Sequence, residues 1–289
     1  MVSHALLERM LFPSVRLDAG KLERRLAGKT VLITGASSGI GERLAYLLAG
    51  FDVRLILTAR RGDRLAAAKA GIESSAGSRA KVDLFPADLR EPGQLEALLA
   101  YLRELPGGLD VVVSNAGHSI RRPFRESLDR YHDFTRTMAI NYFAPVRLLL
   151  GVAPLLGKNG GHIANVSTVS ALLLPVQGWA AYQASKSAFD VWLRSASPEL
   201  NAMGVSVASV YLPLVRTPMV APTAAYKNMP AMSAANAAKL VARTFYSRRR
   251  TYKPWWLVFG QLASVLFRGS WERSSARKVR RKERRDEGV

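Results

Sequence analysis

Residues 34–41, Thr-Gly-Ala-Ser-Ser-Gly-Ile-Gly, join a β-branched run at 30–34 to an apolar-periodic stretch at 40–48. A strand that feeds a helix through glycines spaced Gly-x3-Gly-x-Gly constrains the fold more than anything else in the chain. Glycine lets the backbone turn sharply, and the turn aims N–H groups at an anion lying on the positive end of the helix. The predicted ligand is a dinucleotide pyrophosphate, held by Gly35, Ser37, Ser38, Gly39, Ile40 and Gly41.

The alternation continues downstream. Short apolar runs at 53–59, 82–85, 111–114, 163–167 and 205–212 read as strands. The stretches 64–75, 94–105 and 180–203 read as helices, and a long helical region between the fourth and fifth strands is interrupted near Pro145. Strands that are apolar throughout, such as Val111-Val112-Val113, are expected where helices bury both faces of a parallel sheet. The expected fold class is α/β, a doubly wound parallel sheet of the Rossmann type, as a single domain over 30–247. An N-terminal extension (1–29) and a basic C-terminal tail (248–289) are read as appendages.

The end of the second strand discriminates between nicotinamide cofactors. A carboxylate there would accept from a free ribose 2′-hydroxyl. This chain has Thr58-Ala59-Arg60-Arg61 instead, and two guanidiniums suit a 2′-phosphate. NADP(H) is therefore expected. Asp88, followed by Leu89, sits after the third strand, where a carboxylate can accept from the adenine amino group. Asn115-Ala116-Gly117 follows the fourth strand, where small residues permit close packing on the cofactor.

Tyr182 and Lys186 are four apart on a predicted helix and so share a face. A phenol titrates near 10, and a neighbouring ammonium is expected to lower that value and fit Tyr182 for proton donation. A hydroxyl to hold the substrate oxygen is available from Thr168, with Ser170 and Ser167 as alternatives. Asn141 is placed to support a water chain to Lys186, or to pack its helix.

With TGASSGIG (34–41), NAG (115–117), Asn141, NVST (165–168) and YQASK (182–186), the chain resembles the short-chain dehydrogenase/reductase superfamily over about residues 28–220. The resemblance implies a catalytic set of Asn141, a Ser/Thr hydroxyl, Tyr182 and Lys186. Lys186 would also bind the nicotinamide ribose, and Pro213, Val215 and Thr217 would border the cofactor. The family usually carries its catalytic serine 13 residues before the Tyr. Here that position is Val169, and Thr168, in register with the strand, is the expected replacement. The region His118-Ser119-Ile120-Arg121-Arg122, with 129–134, 141–143 and 212–223, is similar to bacterial fatty acyl-CoA reductases of the superfamily. That implies reduction of a fatty acyl thioester to an aldehyde, with a ketone or aldehyde reductase, or a non-catalytic dinucleotide-binding protein, as alternatives. An acyl groove is expected at Met219, Val220, Met229, Met232 and Leu240, and cations for coenzyme A phosphates at Arg121, Arg122 and Arg125.

Composition bounds the rest. The absence of cysteine excludes disulfides, thiolate metal sites and a cysteine nucleophile, and four scattered histidines give no metal-ligand spacing. The net charge is +20, with 13 Lys/Arg against 4 Asp/Glu in the last 42 residues. The tail lacks a nucleic-acid readout motif, so no nucleic-acid partner is expected. Its aromatic apolar segment, 255–267, is too short to span a bilayer and is flanked by Arg248–Arg250 and by residues 278–285. This suits a helix lying in a membrane interface, or one packed on the core. No signal peptide is read at the N-terminus. The expected location is cytoplasmic, with peripheral attachment to the inner membrane face through the tail, and the expected assembly is a homo-oligomer.

Overall fold

The structure, a computed structural model, describes residues 4–247 and 249–286. Its centre is a seven-stranded, wholly parallel sheet formed by β1 (Lys29–Thr34), β2 (Val53–Ala59), β3 (Lys81–Pro86), β4 (Val111–Ser114), β5 (His162–Thr168), β6 (Ser206–Leu212) and β9 (Thr251–Tyr252). The spatial order is β3-β2-β1-β4-β5-β6-β9. Two further short strands, β7 (Val215–Arg216) and β8 (Met232–Ser233), pair separately.

The apolar strands divide their side chains between two cores, because successive residues point to opposite faces. Val31 and Ile33 of β1 enter one core while Leu32 enters the other; Leu55 and Leu57 part from Ile56 in the same way, and Val111 and Val113 from Val112. The first core is closed by α2 (Ala19–Leu26), α3 (Gly39–Leu48), α4 (Gly62–Glu73) and α9 (Ala234–Thr244). The second is closed by α5 (Pro92–Arg103), α7 (Ala144–Lys158) and α8 (Ala180–Ala202). Helix α6 (Tyr131–Met138) runs into α7 through a π-turn at Ala139–Phe143. Together Tyr131–Lys158 is long and apolar enough to cross a membrane by length and composition. In this fold, however, Leu148, Leu149, Val152 and Leu156 are spent on the second core.

Both extensions are more integral than their sequence suggested. After α1 (His4–Leu11), α2 buries Leu22 and Leu26 completely, and the Val15 and Asp18 amides donate to Asn236 and Tyr246. At the other end, β9 lies past the expected boundary at 247. The Ser209 amide donates to the Arg250 carbonyl, and Tyr252 enters the first core. The boundary moves because an open β6 edge takes up a strand too short to show periodicity. Beyond it lie α10 (Leu257–Leu266) and α11 (Arg268–Asp286).

Candidate active site

The sheet reverses its winding between β1 and β4, and a crevice opens at the carboxyl ends of the strands there, as expected of doubly wound sheets. It holds a cleft of about 990 Å³. On one wall the glycine turn closes onto β4. Thr34 Oγ1 accepts from the Asn115 and Ala116 amides, both at 3.0 Å, and donates to the Val113 carbonyl. Asn115 Nδ2 donates back to the Thr34 carbonyl at 2.8 Å. A methyl group at Gly41 would lie 2.6 Å from the Gly35 carbonyl oxygen, and Gly39 adopts φ +66°. Only glycine satisfies both demands. The α3 N-terminus that results has no side-chain cap bond, and Gly39 and Ile40 of its first turn line the cleft.

Gly35, Ser37, Ser38, Gly39, Ile40, Leu89, Asn115, Ala116 and Gly117 line this wall, whereas Gly41 stands behind it. Arg60 and Arg61 also line it, and Arg61 donates to Ser38 Oγ at 3.5 Å. Asp88 does not reach the lining. Arg90 grips its carboxylate with Nε at 3.0 and 3.2 Å and Nη2 at 2.5 Å, and Arg60 lies 3.9 Å away. Burial tends to raise the Asp88 pKa, but the Arg90 hydrogen bonds and the two guanidinium charges hold it below the usual carboxylate range. Asp88 thus stands just behind the lining as an ion pair with Arg90, which itself lines the cleft.

On the facing wall, β5 delivers Ser167 and Thr168 at its carboxyl end, with Thr168 paired opposite Leu212 of β6. Thr168 and Ser170 hydroxyls are 3.0 Å apart. Burial raises the Tyr182 phenol above its ordinary value, and a hydrogen bond with Thr168 draws it partly back. Desolvation sets the direction, and the lowering comes from Thr168 rather than from Lys186 as expected. Burial brings the Lys186 ammonium itself down to about 8, and Nζ donates to the Val166 carbonyl at 3.3 Å. Asn141, in the π-turn, is buried behind the lining. Its Nδ2 donates to the His118 carbonyl (2.8 Å) and Ser185 Oγ (2.9 Å), and its Oδ1 accepts from the His118 amide (2.8 Å). Its side chain thus clamps the strand-end loop to the helix carrying Tyr182 and Lys186.

Several lining residues escaped the sequence reading. Trp179 stacks on Tyr226 at 5.4 Å and meets Tyr182 edge-on at 5.9 Å. Gln183, inside YQASK, donates to the Ser170 carbonyl at 2.6 Å and accepts from the Val176 amide at 3.1 Å, which pins the cleft rim. His118 stays neutral-leaning because burial, then Arg136, Arg60 and Arg90, lower its pKa. Met219, Val220 and Met229 line the cleft as expected, alongside Pro213, Val215 and Thr217. Met232 and Leu240 belong instead to the first core. Arg121 lines the cleft, but Arg122 is held by the buried Asp133 at 2.7 Å and Arg125 lies off the lining.

Residues 29–228 match the family model for short-chain dehydrogenases. The chain belongs to that family and is an NAD(P)-dependent oxidoreductase. It is 39% identical over 241 residues to a fatty acyl-CoA reductase of Acinetobacter baylyi, covering 83% of this chain and 79% of the relative. It is 41% identical over 215 residues to a fatty acyl-CoA reductase of Mycobacterium tuberculosis, covering 74% and 72%. Among solved structures, a short-chain dehydrogenase from Sphingobium yanoikuyae in complex with NADPH aligns at TM-score 0.70 and 29% identity, covering 78% of this chain and 87% of that one.

Proposed function

We propose that the protein reduces a long-chain fatty acyl thioester of coenzyme A to the fatty aldehyde, using NADPH. The carrying observation is the junction within one cleft of a phosphate cradle bearing Arg60 and Arg61 with the Tyr182–Thr168–Lys186 cluster and an apolar arm of Leu173, Val176, Met219, Val220 and Met229. The two relatives named as fatty acyl-CoA reductases support the same substrate class.

The residues fit the dinucleotide. The tight glycine turn lets the backbone approach a pyrophosphate, and the uncapped α3 N-terminus offers donors to it. Arg60 and Arg61 supply forked donors for a 2′-phosphate. NADP(H) in this site supplies the hydride for the acyl carbon. Thr168 and Tyr182 hold the acyl oxygen between two hydroxyls, and Tyr182 gives it a proton. Lys186 keeps a positive charge beside the ribose side of the cleft below about pH 8. The hemithioacetal so formed then breaks its C–S bond, its hydroxyl proton passing to the departing sulfur, which leaves aldehyde and thiol, so that one NADPH and one proton are consumed per aldehyde and thiol formed.

Turnover of palmitoyl-CoA with NADPH, followed as thiol release together with aldehyde capture, tests this reading. Stoichiometric thiol and aldehyde are expected. NADPH oxidation with keto lipids or aldehydes, but none with acyl-CoA, would assign the protein to the carbonyl reductases instead.

A further inference from the structure

We propose that the outward face of α10, with the cations flanking it, docks the protein on an anionic lipid bilayer. Helix α10 rests on the domain through one side only. Leu257 is fully buried, and Gly260 sits so close to Leu173 that a Cβ there would lie 3.0 Å from it. The opposite arc carries Val258, Phe259, Leu262, Val265 and Leu266, which are 53%, 66%, 58%, 78% and 65% exposed. No polar side chain interrupts that arc. Trp255 extends it towards α1 by donating to the Met10 carbonyl at 3.3 Å, and Met10 is itself 59% exposed. A contiguous apolar face of this kind marks an interaction surface.

Charge selects the occupant. Exposed Arg249 and Arg250 precede the apolar arc, and exposed Arg273, Arg277, Lys278 and Arg281 follow it on α11. Two copies meeting through this face would bring like charges together, whereas an anionic bilayer satisfies the apolar arc and both basic flanks at once. Ten residues of helix reach about 15 Å, half the hydrocarbon thickness, so α10 lies along the interface rather than crossing it.

The face of α10 opposite the docking arc adjoins the cleft. Leu173, under Gly260, lines it, and α11 grips the same rim: Trp271 donates to the Pro175 carbonyl at 3.3 Å, and Gln177 donates to the Ser275 carbonyl at 2.8 Å. A bilayer on the outward arc of α10 would therefore lie one helix diameter, roughly 10 Å, from the rim of the apolar arm. This second step rests on the proposed acyl substrate, which would enter from the lipid phase.

Full-length protein is sedimented with vesicles of phosphatidylcholine alone or mixed with phosphatidylglycerol, at low and high salt. Tryptophan quenching by acyl-brominated lipid is read in parallel. Binding is expected on the anionic vesicles at low salt, weakening as salt screens the cations. The double variant Phe259→Glu, Leu262→Glu alters exposed positions only; with an unchanged circular dichroism spectrum it should bind at least about tenfold more weakly. Its turnover of a short, water-soluble thioester should stay unchanged. Equal binding of variant and wild type, or no wild-type binding to anionic vesicles, overturns the inference. So does a variant whose sedimentation coefficient falls to that of a smaller assembly while vesicle binding persists, because the face is then a contact between copies. Vesicle binding is read without turnover. Docking without acyl-CoA reduction refutes only the proposed function, and acyl-CoA reduction without docking refutes only this inference.

Discussion

The two halves of the cleft are built by different means. The nucleotide half is made of backbone: a glycine turn stapled by Thr34 and Asn115 to the centre of the sheet, with two guanidiniums at its edge. The substrate half is made of side chains from segments far apart. Thr168 comes from β5, Trp179 from the loop before α8, and Tyr226 from a single 3-10 turn between the paired strands β7 and β8. A phosphate is the same in every dinucleotide, so its receptor can be a rigid local turn. An apolar ligand offers only shape, and the apolar arm of the cleft is shaped by a surface segment that carries exposed Met219 and Met229.

Tyr182 joins the halves, and its loss should have the largest effect. Tyr182→Phe is expected to lower kcat at least about a hundredfold with NADPH affinity nearly intact; a turnover near wild type would show that proton donation lies elsewhere. Thr168→Val should cost roughly thirtyfold in kcat/KM, the scale of a hydrogen bond to developing charge, and Ser170→Ala distinctly less. The reverse order would move the oxygen-holding role from the strand to the loop. Arg60→Ala should raise the Kd for NADPH about tenfold and leave NADH little changed. Equal affinity of the wild type for the two would remove the guanidiniums from cofactor choice. Lys186 loses its charge as pH rises through about 8, so kcat/KM should fall above that pH, approaching tenfold per unit; a flat profile to pH 9.5 (about) would disconnect the ammonium from the chemistry. Trp179→Ala removes one stack and should raise KM for long-chain substrate only a few-fold. If it weakens NADPH binding equally, the two halves are not separate.

The nucleotide half was legible because its chemistry lies within a few residues of chain. The Gly-x3-Gly-x-Gly spacing, the missing carboxylate after β2 and the four-residue Tyr/Lys spacing all obey local geometry. The placement of Thr168 on the cleft wall follows from strand register, which carries a residue to a fixed place even when the following loop changes length, and Ser167 and Ser170 share that wall. The ion pair of Asp88 with Arg90 is equally local, two residues apart. The grip on Arg122 is longer-range: the buried Asp133, which draws in Arg122, Arg130 and Arg136 together, becomes visible only when α6 is packed.

By itself, then, the sequence determined the parallel sheet, its two buried faces and the cradle for a dinucleotide, because turn and periodicity rules act over two to four residues. Tertiary structure alone decided which cations stay on the cleft wall, that Asn141 clamps the His118 loop to Ser185 across 44 residues, and that Trp179 stacks on Tyr226. It also decided that Met232 and Leu240 fill the core while Val258 and Phe259 face outward. Apolar residues in either place look alike along the chain, since burial is a property of what packs against them, and that is settled only when distant segments meet.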